Sequence, residues 1–322
     1  MTVPTAIDVH GARRRLEPHV PPTPLVESTW LTGCRRQVLL KLESVNLTHS
    51  FKIRGAFNAL LRLLEAFPTG AAPVVVTASA GNHGRAVAYA AERLGLAAVV
   101  FTPRTAPKTK RDAIRRHGAT LHDQAPDYDT AERDAHAFAS ACGGTFISPY
   151  NHPDVIAGAG TVGLEIVEAC PQVGTVVVPL GGGGLASGVG LAVRAAAPRV
   201  RVVGVEADAS TPFTTGLAHG AITRIEPRPT LADGLAGNLE EGAMTFRIVQ
   251  RVLDEIVAVS EQQIVEAMRG LAAEDHLIVE GSAAVAAAAV AADREQPWPG
   301  PVVALMTGAN IDFATLLGVL RR

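Results

Sequence analysis

Lysine is scarce in this chain: among twenty-nine basic residues only Lys41, Lys52, Lys108 and Lys110 are lysines. Arginine stands almost everywhere that a plain positive charge would serve. A lysine amine can lose its proton when desolvated and attack a carbonyl, which a guanidinium cannot, so a lysine kept in this background is a candidate Schiff-base former. Lys108 and Lys110 lie in the polar run TAPKTKRD, and Lys41 lies inside the apolar run VLLKLE. Lys52 follows Phe51 and opens the amphipathic run FKIRGAFNALLRLLEAF, which allows its amine to stand beside an aromatic ring at a helix start. A surface lysine at a helix start is the plain alternative.

Three further stretches carry chemistry. The apolar run Val176 to Leu180 delivers Gly181, Gly182, Gly183 and Gly184 to a helix beginning near Leu185. Glycines there let backbone amides approach a phosphate at the positive end of a helix, whereas a tight turn alone needs one or two. The same stretch, as Gly181-x-Gly183-x-x-Ala186, also fits a dinucleotide fingerprint, with Glu206 ending the next strand where a ribose-binding acid would sit. That rival, a nicotinamide-dependent oxidoreductase, gives no role to Lys52. Ser79, Ala80, Gly81, Asn82 and His83 follow the strand pattern VVVTA and enter a helix, a loop suited to gripping a carboxylate; simple capping by Ser79 or Asn82 is the alternative. Thr307 ends the run VVALM, at the carboxyl end of a strand, where α/β proteins bind ligands.

The elements that position these residues follow a repeating pattern. Short β runs alternate with helical ones from VVVTA to DYDTAERDAHAFASAC, and again from TVVVPL to the final helix near IDFATLLGVL. This implies βαβ units, parallel sheets and an α/β architecture of two open, twisted domains with the active site in the cleft between them. The expected division is 1–48 with 148–322 as one domain, and 49–147 inserted as a smaller one carrying the Ser79 loop. With 322 residues, 48% of them hydrophobic, a sizeable core is assured. A net charge of −2 with interspersed signs argues against nucleic acid or an anionic membrane as partner. Cys34, Cys142 and Cys170 form no CxxC pair and read as reduced thiols of a cytoplasmic protein. The first twenty residues lack a signal-peptide core, and the tract GSAAVAAAAVAA reads as a buried helix.

In this order and spacing, SFKIRGA, SAGNH, the four glycines and TGAN resemble the threonine and serine dehydratases among the tryptophan synthase β-like, fold type II pyridoxal 5'-phosphate enzymes. Supporting matches are TPL at 23–25, LLKLESVNLTHS, TAPKTKRDAIRRHGATL, HPDVIAGAGTVGLEI, VVGVE, ADGL and VEGSAA. His49 and Ala159 depart from the common glycine and glutamine, and Thr307 and Ala309 from serine and glycine. The resemblance assigns Lys52 as the catalytic, cofactor-bearing lysine, Phe51 as its ring-stacking neighbour, and Gly181 to Gly184 with Leu185 as the phosphate cradle. Asn82 would bond the ring hydroxyl, Thr307 would face the pyridine nitrogen, and Ser79 to His83 would hold the substrate carboxylate. The implied reaction converts a β-hydroxy L-amino acid to a 2-oxo acid and ammonia, in a cytoplasmic homodimer with no resident metal. Glu206 matches an acid that helps hold a cation in metal-dependent relatives, but Pro212 replaces its acidic partner. The chain ends one helix after TGAN, which predicts no isoleucine-binding effector domain. A racemase or a β-replacement enzyme is the nearest alternative within the cofactor class. The loop reads SAGNH where serine racemases of this family have SSGNH, which predicts elimination without racemisation.

Overall fold

The computed structural model describes residues 2–33, 36–67, 72–293 and 298–321; Cys34 lies outside the described residues, while Cys142 and Cys170 are free thiols. In chain order the elements are α1 (Ala6–Leu16), β1 (Leu25–Glu27), β2 (Val38–Leu42), α2 (Lys52–Ala66), β3 (Val75–Ala78), α3 (Asn82–Leu94), β4 (Ala98–Pro103), α4 (Lys108–Arg115), β5 (Thr120–Ala125), α5 (Tyr128–Cys142) and β6 (Thr145–Phe146). There follow α6 (Pro153–Ala169), β7 (Thr175–Pro179), α7 (Gly184–Ala196), β8 (Arg201–Ala207), α8 (Pro212–His219), α9 (Met244–Val252), β9 (Glu255–Val259), α10 (Glu261–Ala273), α11 (Gly281–Ala292), β10 (Val302–Met306) and α12 (Phe313–Arg321).

Two open sheets result, as the alternating pattern predicts. One runs β1-β2-β10-β7-β8-β9, parallel except for β1 against β2, and the other runs β5-β4-β3-β6, parallel throughout. The Val-rich strands β3, β7 and β10 are buried along their whole length, as parallel strands covered on both faces must be. Helix α11 has no polar face and is buried from Gly281 to Val290, so the alanine-rich tract is a core helix. No helix among the described residues is long and apolar enough to cross a membrane.

Local chemistry sets the helix ends. Asp127 accepts from Thr130 N at 2.8 Å to start α5, and Gly143, at φ +65°, ends it in the left-handed conformation. Helix α6 starts at Pro153. Its Gly158 and Gly160 are not turn residues: a Cβ there would lie 2.5 Å from Arg54 O and 2.8 Å from Gly188 O. They let α6 press against α2 and α7. His49 has φ +55° and is exposed. This is the left-handed region, which glycine takes freely and histidine tolerates better than a β-branched residue. His49→Val is therefore expected to lower stability by about 1–2 kcal/mol while His49→Gly stays near neutral, as thermal unfolding would show.

Candidate active site

The chain reverses direction across each sheet at one place, β7/β10 in the larger and β3/β6 in the smaller, and ligands of open α/β sheets bind at the carboxyl ends of such strands. Gly181 follows β7, Thr307 follows β10, Ser79 follows β3 and Pro149 follows β6. Lys52 ties them together. The start of α2 is fastened to the end of β10 by a bridge between Ser50 and Gly308 and by Phe51 N donating to Thr307 O at 3.0 Å. Lys52 Nζ then donates to Pro149 O at 2.7 Å and lies 5.0 Å from the Phe51 ring centroid.

The turn that supplies Pro149 O is itself held: Ser148 Oγ and Asn151 Nδ2 donate to Glu240 at 3.0 and 2.8 Å. Burial pushes the Lys52 amine down to about 8, with Glu280 opposing the shift. The other lysines are engaged by acids: Lys41 with Glu165 at 2.6 Å, Lys108 with Asp112 at 2.5 Å and Lys110 with Asp233 at 2.6 Å. Lys52 alone has no carboxylate at ion-pair distance among the described residues. Burial lowers the Lys41 amine as well, but that amine is held by Glu165, which leaves Lys52 as the lowered amine without an acid against it among the described residues.

The four glycines have two explanations, and both hold. Packing requires them: a Cβ on Gly181 would meet Leu235 Cα at 2.8 Å, one on Gly182 the Tyr150 ring at 2.4 Å, and one on Gly184 Tyr150 Cα at 3.0 Å. Gly183 has φ +83° and Phe213 at 2.5 Å from its would-be Cβ. The glycine count alone is therefore weaker support for a ligand than the sequence suggests. The amides supply the stronger support. None of the backbone N–H groups from Gly181 to Ala186 donates to an acceptor among the described residues; the next, that of Ser187, bonds Gly183 O. Most of this stretch is buried, and the buried hydroxyls of Ser187 and of Thr245, which packs beside Gly183, are also unpartnered. Buried amides left open at a helix start fit an anion, and a cofactor phosphate suits them.

The Ser79 loop is built around backbone. Gly81, not Ser79 or Asn82, is the N-cap of α3, and no side chain caps it. Ser79 Oγ accepts from Gly81 N at 3.2 Å. His83 is 2% exposed, with Nε2 3.1 Å from Ile147 O, and burial near Lys52 pushes its imidazole down to about 3. Its side chain is a neutral core histidine, so the loop offers a ligand its open helix end. Asn82 donates Nδ2 to Glu280 at 2.7 Å and accepts from Asn310 at 2.7 Å.

Behind the lysine lies a charge network that local sequence patterns do not reveal. Arg54, 1% exposed, donates to Glu43 through Nε and Nη2, both at 2.8 Å, and to Glu165 through Nη1 at 2.6 Å and Nη2 at 2.9 Å. Lys41 Nζ joins at Glu165. Burial alone would raise the Glu43 acid, but the charge and hydrogen bonds of Arg54 overcome it and hold it below its ordinary value. The motif pieces LLKLE, SFKIRG and GTVGLEI thus meet in one buried set of two acids and two bases, with Arg54 less than one helical turn from Lys52. Glu206, which the rival dinucleotide reading would make a ribose-binding acid, accepts from Phe213 N at 2.8 Å, Thr214 N at 3.1 Å and Thr214 Oγ1 at 2.5 Å. It caps α8.

Comparison with known proteins bears on the family and the fold. The family described as pyridoxal-phosphate dependent enzyme matches residues 16–308. An L-threonine ammonia-lyase of Thermotoga maritima is 40% identical over 310 residues, covering 96% of this chain and 76% of the relative. A solved threonine deaminase from T.th. is similar with a TM-score of 0.87 at 36% identity, over 96% of this chain and 99% of its own. A maize serine racemase reaches a TM-score of 0.90 at 29% identity, over 99% and 98% of the two chains.

Proposed function

This chain belongs to the pyridoxal-phosphate dependent enzyme family, and from that premise we propose that it is an ammonia-lyase acting on a β-hydroxy L-amino acid such as threonine or serine. The carrying observation is Lys52, the lysine without an acidic partner among the described residues, standing where the carboxyl ends of both sheets meet. Pyridoxal phosphate supplies an electron sink for the negative charge that develops at the substrate α-carbon. The open amides from Gly181 to Leu185 would hold its phosphate, Phe51 would pack on its ring, and Asn82 and Thr307 would bond its ring oxygen and nitrogen. Lys52 would hold the cofactor through its amine, and the same amine, when free, would take the proton from the substrate α-carbon. The Ser79 to His83 loop orients the substrate carboxylate at the α3 start. The β-hydroxyl leaves as water and hydrolysis of the resulting enamine returns one water, so substrate becomes 2-oxo acid and ammonia with no net redox change. A hydroxyl at Thr307 cannot keep the ring nitrogen protonated as a carboxylate would, which favours β-elimination over transamination.

The same proposal includes the division into 1–48 with 148–322 and an inserted 49–147, a cytoplasmic setting, and a homodimer. Ile7 and Phe313, 81% and 71% exposed, are apolar side chains that a second copy could cover. The functional test is release of 2-oxo acid and ammonia in equal amounts from L-threonine or L-serine by the cofactor-loaded protein. Turnover that instead requires NAD would contradict the reading.

Racemisation discriminates within the cofactor class. Inverting the α-carbon needs a proton carrier on each face, and Ala80 stands where serine racemases of this family have serine. Ser79 is one residue too early, and its Oγ already accepts from Gly81 N. Wild type should therefore form oxo acid without accumulating D-enantiomer, and Ala80→Ser should add some racemisation. Chiral chromatography of partly converted substrate decides; D-amino acid appearing in wild type as fast as oxo acid overturns the expectation.

A further inference from the structure

Glu280, 7% exposed at the N-cap of α11, is where three parts of the site meet. Its Oε1 accepts from Asn82 Nδ2 at 2.7 Å, its Oε2 accepts from Asn310 N at 3.2 Å, and its own N–H donates to Gly308 O at 3.0 Å. Asn310 donates its Nδ2 to Asn82 Oδ1 at 2.7 Å, and its own oxygen accepts from Arg85 at 2.6 Å. A Cβ on Gly308 would lie 2.5 Å from Glu280 Oε1, so glycine there makes room for the carboxylate. An amide has one oxygen and two N–H bonds, and an ionised carboxylate only accepts. With Asn310 on its oxygen and Glu280 on one hydrogen, Asn82 has a single orientation and a single N–H left to give. Were the amide turned over, its NH₂ would face the Asn310 donor and its oxygen the Glu280 carboxylate.

We propose that Glu280 is a positioning residue for the reaction, which fixes the Asn82 amide so that its remaining N–H is offered to the ring oxygen of the cofactor. The inference rests on the pyridoxal phosphate reading above. Asn82 and Glu280 lie in separate motif pieces, SAGNH and VEGSAA, 198 residues apart, and their pairing exists only in the fold. Burial and the charge of Asp233 push the Glu280 acid up to about 7, while Lys110, Asn82 and Asn310 oppose the rise. Lys52 is the other titratable group that senses it, since Glu280 raises the proton affinity of the amine. Removing the carboxylate therefore has two consequences, a misaligned Asn82 and a less readily protonated nitrogen at Lys52.

The test uses holoenzyme of wild type, Glu280→Gln, Asn82→Ala and the double variant. Glutamine keeps the volume but sets an NH₂ against one of the two donors. Cofactor should remain attached to Lys52, kcat should fall roughly tenfold to hundredfold with a much smaller change in KM, and the pH midpoint of the bound-cofactor absorption band should move down by about one unit. The double variant should lose no more than the larger single loss, because both changes break one coupled pair. Glu280→Asp keeps the charge and shortens the reach, so it should hold the midpoint and still lose kcat; it serves if the glutamine protein does not fold. A kcat within twofold of wild type with an unmoved midpoint, or losses in the double variant that multiply, would overturn the proposal. Wild-type protein that takes no cofactor on Lys52 overturns the underlying reading instead.

Discussion

Lys52→Ala is expected to lose covalently held cofactor and to cut turnover by roughly a thousandfold or more, because one amine serves as both the attachment point and the proton acceptor. The folded state should tolerate the change. Lys52 makes a single hydrogen bond, to Pro149 O, and no ion pair with the described residues, so alanine leaves no buried charge without a partner. Lys108→Arg is the matched control, since Lys108 is exposed and pairs with Asp112 along α4. Steady-state oxo acid release, with circular dichroism confirming the fold, is the measurement. Turnover of Lys52→Ala within tenfold of wild type would mean that another group removes the α-proton.

Arg54→Met should cost about 3–5 kcal/mol and lower Tm by roughly 5–15 °C, because it leaves Glu43 and Glu165 buried without their guanidinium. Their exposures are 0% and 6%, so water cannot take over the lost hydrogen bonds. Lys41 still faces Glu165, but Glu43 would keep only Thr23 and Asn46 as donors. The pH dependence has a fixed sign. The Glu43 acid is held below its ordinary value in the folded chain, so the stability it contributes is present above the unfolded carboxylate range and lost as pH falls through the lowered folded value. Arg54→Met should flatten that acid limb. Thermal unfolding at pH 7 and at mildly acidic pH separates the outcomes, and a Tm within a degree or two of wild type would show that the network carries little of the stability.

These two residues show how far the sequence can be read. Lys52 is legible because its type is rare, its neighbour is aromatic and its helix pattern starts there. Arg54, two positions on, looks like any helix arginine, and its partners lie 11 and 111 residues away. The alternation of apolar runs and helices gives the parallel sheets, since period and length are local properties. The role of the glycines in α6 is not local: only the close approach of Gly158 to Arg54 and of Gly160 to Gly188 shows that glycine is there to bring helices together. Helix α8 depends on a contact from outside it too: Glu206 bonds the amides of Phe213 and Thr214, an arrangement set by β8. In the site, the glycine loop, the Ser79 loop and Thr307 are readable as motifs; Glu280 and Asn310 sit inside VEGSAA and TGAN, but their contacts, like those of Glu240, emerge only from hydrogen bonds between distant segments.

Borohydride reduction of the cofactor-loaded protein, followed by proteolysis and mass spectrometry, tests the central claim most directly. Reduction should abolish the near-violet absorption band and leave a pyridoxyl-phosphate adduct on the peptide containing Lys52, with none on Lys41, Lys108 or Lys110. An adduct on another lysine, or no band and no adduct after loading with pyridoxal phosphate, would contradict it.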